Sequence, residues 1–122
     1  MEKEYYDAQI KYINEIRSIR HDIQAHMIVL QYYLESENYE KAKRLLKDME
    51  KRYPKEYKVP MYLSFVIYRI EGEAASGDYR EVERYYEKAL KLCKNQGIDP
   101  DEEFNMIQME NIIRQLEEQG FL

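Results

Sequence analysis

His21 and Asp22 stand side by side in the stretch SIRHDIQAH, residues 18 to 26, preceded by Arg17 and Arg20. An imidazole next to a carboxylate and flanked by guanidinium groups suits phosphoryl transfer. The neutral ring nitrogen attacks phosphorus, the carboxylate fixes the tautomer or takes up the proton, and arginine neutralises the incoming phosphoryl oxygens. The same residues also make an ordinary solvated helix face, so composition alone does not separate the two roles. The direction in which His21 points does, and that is set by the helix that carries it.

Residues 4 to 35 contain neither Gly nor Pro, and an apolar pattern runs through Tyr6, Ile10, Ile13, Ile16, Ile19 or Arg20, Ile23, Met27, Leu30 and Leu34. Steps of three and four, averaging roughly 3.5, are the spacing of a bundle or coiled-coil seam. A helix of this span is roughly 45 to 50 Å long at 1.5 Å per residue, too long for a compact monomer to cover unless something packs along it. With the seam direction as zero, His21 lies roughly 140° away and is expected to face solvent. Arg17 and Arg20 fall roughly 40° and 100° around from it, and Asp22 sits on the other flank of the exposed face. His26 is nearer the seam edge and is read first as a polar residue at the margin, with assistance to His21 as the other reading. A His pair at i, i+5 does not converge on a metal as an i, i+4 pair does, so no metal site is expected.

The seam breaks at ESENYE, where Ser36 and Asn38 are turn and capping residues, and restarts at Tyr39, Ala42, Leu45, Leu46, Met49 and Tyr53. So short a connection implies an antiparallel helical hairpin. Pro54 and Pro60 bracket a linker and mark the expected boundary between a segment of residues 1–54 and one of residues 55–122. A third helix is expected from Pro60 to about Ser76, apolar almost all round and therefore the most buried. A fourth, from about Tyr79 to Gln96, carries Val82, Tyr85, Tyr86, Ala89, Leu92 and Cys93 and is stopped by Gly97. Asp99, Pro100 and Glu102 read as the capping box of a fifth helix running to about Gln119, with Phe104, Ile107, Ile113 and Leu116 toward the core. No stretch alternates with the period of a strand. The expected class is all-α: an antiparallel hairpin followed by three further helices.

Charged residues make up 35% and apolar ones 44% of the 122 residues, a balance typical of a folded helical protein. The net charge is −5 with both signs interspersed, so no basic face for nucleic acid is expected. No apolar run reaches the roughly 18 to 20 residues that span a bilayer, and the N-terminus lacks the pattern of a signal peptide, so a cytoplasmic protein without a membrane partner is expected. Cys93 has no second cysteine to pair with and reads as a small core residue. The 13 Tyr include the adjacent pairs 5–6, 32–33 and 85–86, and on a helix such a pair puts one ring in the core and the next at its margin.

Residues 5–49, with Arg20, His21 and Asp22, then His26 and Leu30, the acidic turn from Glu35 to Asn38, and Tyr39, Glu40 and Ala42, resemble a known hairpin. It is the dimerisation and histidine phosphotransfer hairpin of Agr-type sensor histidine kinases and of the related sporulation phosphotransferase. The resemblance implies that His21 is the phosphoacceptor and Asp22 the acidic neighbour assisting transfer. It also implies a homodimer that exchanges phosphoryl groups with a response-regulator receiver domain. Ala25 stands where the family has an Asn that orients groups for transfer or dephosphorylation. The family's ATP-binding domain has no counterpart in these residues, so a complete kinase is not expected, nor is a bound cofactor. More weakly, SGDYREVERYYEKALKLCKNQG is similar to the second helix of a tetratricopeptide repeat, through Gly77, Asp78, Tyr79, Tyr86, Ala89 and Leu90. The segments 38–51 and 78–91 also echo each other.

Two functions follow as expectations. In the first the chain is a two-component phosphotransfer and dimerisation module, with His21 and Asp22 catalytic and Arg17 and Arg20 neutralising phosphate. In the second it is a non-enzymatic helical-repeat adaptor, whose tyrosine faces, Tyr85 and Tyr86 foremost, bind a protein or peptide partner.

Overall fold

The structure, a computed structural model, describes residues 2–122, the side chains of Glu2, Lys3, Tyr5, Tyr6 and Ile16 excepted. Five α-helices follow one another: α1 (Glu2–Glu35), α2 (Tyr39–Arg52), α3 (Lys58–Ala74), α4 (Arg80–Asn95) and α5 (Phe104–Glu118). A 3₁₀ turn (Pro100–Glu102) precedes α5, and no strand occurs among the described residues. The fold is an all-α bundle in which α3 lies between α2 and α4, and α5 closes over α3 and α4.

Burial follows the helical period. Tyr39, Ala42, Leu46 and Met49 form the inner face of α2, and Val82, Tyr85, Tyr86, Ala89 and Cys93 that of α4. The central helix α3 buries both flanks, including Leu63, Val66 and Ile67. Ser64 is wholly buried there, and its hydroxyl donates to the Val82 carbonyl at 2.6 Å, tying α3 to α4 without leaving an orphaned polar group. One core runs from Leu30 through Tyr53 and Tyr57 of the linker to Leu116, so the residues on either side of Pro54 share it.

The helix ends show how closely the local signals were followed. Gly97, at φ +69°, ends α4 in the expected place, and Ile98 N–H donates to the Cys93 carbonyl at 2.9 Å, a Schellman closure. The end of α1 uses the same closure, Asn38 N–H to Tyr33 O at 2.8 Å and Glu37 N–H to Leu34 O at 3.1 Å, but with Glu37 in the left-handed region at φ +55°. Asn38 then caps α2 by accepting from Lys41 N–H.

Two boundaries differ from expectation. α3 starts at Lys58, ahead of Pro60, because a proline in the first helical turn lacks only an N–H that has no partner there. Asp99 does not open α5. Its carboxylate accepts from Asp101 N–H at 2.9 Å, two residues on, which winds a tight 3₁₀ turn, and Glu103 is then extended (φ −102°, ψ 111°) before α5 begins at Phe104.

The helix carrying His21 is roughly 51 Å long and α2 roughly 21 Å, at 1.5 Å per residue. α2 returns along the C-terminal part of α1 only. Every described side chain from residue 4 to residue 22 is exposed, Ile23 is the first to be half-buried, and among the described side chains of α1 Leu30 alone is fully buried. The first half of α1 thus extends past the body with Ile10, Ile13 and Ile19 open to solvent. The seam expected through Tyr6 and Ile16 falls, at those two positions, outside the described side chains.

Candidate functional site

His21 sits where α1 leaves the body. One turn toward the body, the imidazole of His26 and the hydroxyl of Tyr53, at the C-terminal cap of α2, share a hydrogen bond of 2.9 Å, and the two rings meet edge-on at 5.8 Å. This bond pins α1 to the end of α2 and gives His26 a structural partner at the seam margin. Just beyond it, Ile19 and Ile23 of α1 form a shallow apolar notch with Tyr53 and Pro54. His21 lies on the opposite side of α1 from this packing and is exposed, as its angle from the seam requires.

Arg17, Arg20 and Asp22 are exposed as well. None of these four side chains makes a hydrogen bond or ion pair among the described residues, so all four remain available to an outside group. The structure does not bring Asp22 onto His21. Neighbouring helical residues diverge by roughly 100°, and a contact between the two needs both side chains to lean over the helix surface. Ala25, one turn on from His21, is exposed and offers no polar atom.

Tyr85 and Tyr86, expected as a partner-binding face, lie in the core at 4% and 9% exposure. α4 is enclosed on two sides, and Tyr85 is covered further by α2 and by its own helix: Lys47 bonds its hydroxyl, and the Arg84 guanidinium stacks 4.9 Å from the ring centre. Burial, followed by the nearby Glu110 carboxylate, pushes the Tyr86 phenol up to about 12. A partner cannot reach these rings without opening the core. The pair at 32–33 does not put one ring in the core: Tyr33 is half-buried against it and Tyr32 is exposed to solvent. Cys93 is fully buried, and burial raises its thiol pKa, so it is not placed as a nucleophile.

A second concavity was not legible from the sequence. Between α1, α3 and α5 lies a groove of about 400 Å³, with Met61, Phe65 and Met109 as its floor and Gln31, Tyr62, Asn105 and Gln108 at its rim. Its residues come from three helices far apart in the chain, and no local pattern announces them.

Among the described residues no group of three His, Cys, Asp or Glu is arranged to hold a metal ion, and no helix is long and apolar enough to cross a membrane. Comparison with protein-family models, with curated proteins and with solved structures finds no match to this chain.

Proposed function

We propose that the chain is a cytoplasmic phosphotransfer and dimerisation module of two-component signalling, in which His21 accepts and returns a phosphoryl group. The observation that carries this reading is an exposed imidazole without a partner among the described residues, on the helix that leaves the body, with Asp22 next to it in sequence and Arg17 one turn behind. A donor acyl phosphate on a receiver aspartate reaches His21 from solvent. The ring nitrogen forms the N–P bond as the acyl P–O bond breaks, and the aspartyl carboxylate leaves with the electron pair. The proton on the other ring nitrogen passes to Asp22 or to water, and Arg17 and Arg20 offset the negative charge gathered at phosphorus.

The free half of α1 supports the dimeric part of the proposal. Most helices in proteins are held by packing of an apolar face, and Ile10, Ile13 and Ile19 stay exposed unless another surface covers them. A second copy pairs along the same seam, leaving both His21 side chains on the outside of the joined helices.

The test is transfer from phosphorylated receiver domains. Wild-type protein is expected to speed loss of the receiver's phosphoryl group, and His21→Ala to leave it at the spontaneous rate. Equal loss with both proteins across a panel of receivers would sink the proposal.

A further inference from the structure

We infer that the groove between α1, α3 and α5 is a recognition site for an extended, uncharged peptide segment of a partner protein, anchored by one apolar side chain. This site lies ten residues farther along α1 than His21, roughly 15 Å at 1.5 Å per residue, and stands independently of phosphotransfer.

The first ground is charge. The chain has 43 acidic and basic residues among 122, yet not one of the side chains lining this groove is charged. On a protein surface this rich in ionic groups, a concavity lined only by amides, a phenol, thioethers and hydrocarbon rejects a charged occupant, which would lose water and gain no counter-charge.

The second ground is the hydrogen-bonding capacity at the rim. Gln31 Nε2 on α1 and Asn105 Nδ2 on α5 both point to the Tyr62 hydroxyl on α3, each at 3.5 Å. Bonds at that distance are at the weak limit and both carboxamides are exposed, so their hydrogen-bonding capacity is open to a ligand that displaces water. A carboxamide offers two donors and an acceptor, and the Gln108 side chain makes no hydrogen bond among the described residues. Three amides around one groove match the alternating N–H and C=O of an extended main chain, and Gln31 and Asn105 can each exchange a long internal bond for a short one to the ligand.

The third ground is the floor. Met61 and Met109 are nearly buried, Phe65 and Leu34 partly so, and the unbranched thioethers adapt to different apolar side chains. About 400 Å³ is at the low end of ligand-pocket sizes and accommodates an anchoring side chain with its flanking peptide groups.

The experiment uses the full chain and three blocked peptides of eight residues. One carries a single central Leu in a Ser and Asn background, the second has Asp and Lys flanking that Leu, and the third is the first with N-methylated amides around the Leu. Amide and side-chain resonances are followed by two-dimensional NMR, in wild type and in Asn105→Arg and Gln108→Glu. Both substitutions lie at exposed positions and are not expected to disturb folding. The inference expects the neutral peptide to shift the Gln31, Asn105 and Gln108 carboxamide signals. It expects at least tenfold weaker binding of the charged and N-methylated peptides, and the same loss in both variants. It is overturned if the neutral peptide shifts none of these signals at millimolar concentration. It is also overturned if the three peptides bind alike, or if the variants bind as wild type does.

Discussion

Leu30 and Ile13 occupy the same seam of the same helix, yet truncating them to Ala is expected to have very different consequences. Leu30 is fully buried and is the main anchor holding α1 to the body. Leu30→Ala removes its transfer free energy and leaves a cavity between helices that cannot fully collapse, a loss of about 3 kcal/mol within the usual span of roughly 2 to 5. That is a large part of the roughly 6 to 18 kcal/mol expected for a domain of this size. Ile13 is 47% exposed on the part of α1 that extends past the body. In the dissociated protein Ile13→Ala is expected to change stability by no more than about 0.5 kcal/mol, because little packing is lost and Ala is the better helix former. The assay is urea unfolding followed by tyrosine fluorescence, the chain having no Trp, over a dilution series that separates monomer stability from self-association. At high protein concentration Ile13→Ala should lower the midpoint through weakened pairing, and that deficit should vanish on dilution. Equal costs for the two variants in the dissociated protein, or a loss below about 1 kcal/mol for Leu30→Ala, would refute the division of α1 into an anchored and a free half.

Other outcomes follow from single positions. Glu37 occupies the left-handed position of a Schellman closure, so Glu37→Gly should relieve backbone strain and raise stability by roughly 0.5 to 1 kcal/mol, read as a higher urea midpoint with an unchanged slope. The Tyr86 phenol is pushed up to about 12 against an ordinary 10.0. Folding therefore favours its neutral form, a contribution intact below pH 10 and lost as pH rises toward about 12. Absorbance at 295 nm should show late-ionising tyrosines that titrate together with unfolding, and Tyr86→Phe should reduce that late fraction. Tyr53→Phe removes the hydroxyl that His26 bonds and should increase hydrogen exchange in residues 19–27 while leaving α4 protected.

The parts of the fold that were legible in the sequence are those set by local chemistry. Ala42, Leu46 and Met49 mark the inner face of α2 because a one-sided helix cannot hide its period, and Gly97 ends α4 because few other residues tolerate its backbone angle. The start of α5 was misread because the same residues, Asp99 to Glu102, serve either a capping box or an Asx-type turn, and the extended backbone of Glu103 decided between them. Tyr85 and Tyr86 were misplaced for a different reason. An adjacent pair puts one ring at the margin only when one face of the helix is packed, and α4 is enclosed more widely than that. The exposure of His21 was calculable from the phase of one helix. The neutral groove was not, because Gln31, Tyr62 and Asn105 meet only after three helices have packed.

The central claim, that His21 is the phosphoacceptor, is tested most directly by locating the modified residue. The chain is incubated with a panel of phosphorylated receiver domains, digested at neutral pH and mapped by mass spectrometry. The account predicts phosphohistidine at His21, absent from His21→Ala and retained in His26→Ala, where the hydrogen bond and ring contact with Tyr53 are lost. Phosphate found only on His26, or on no histidine with any receiver, would contradict it.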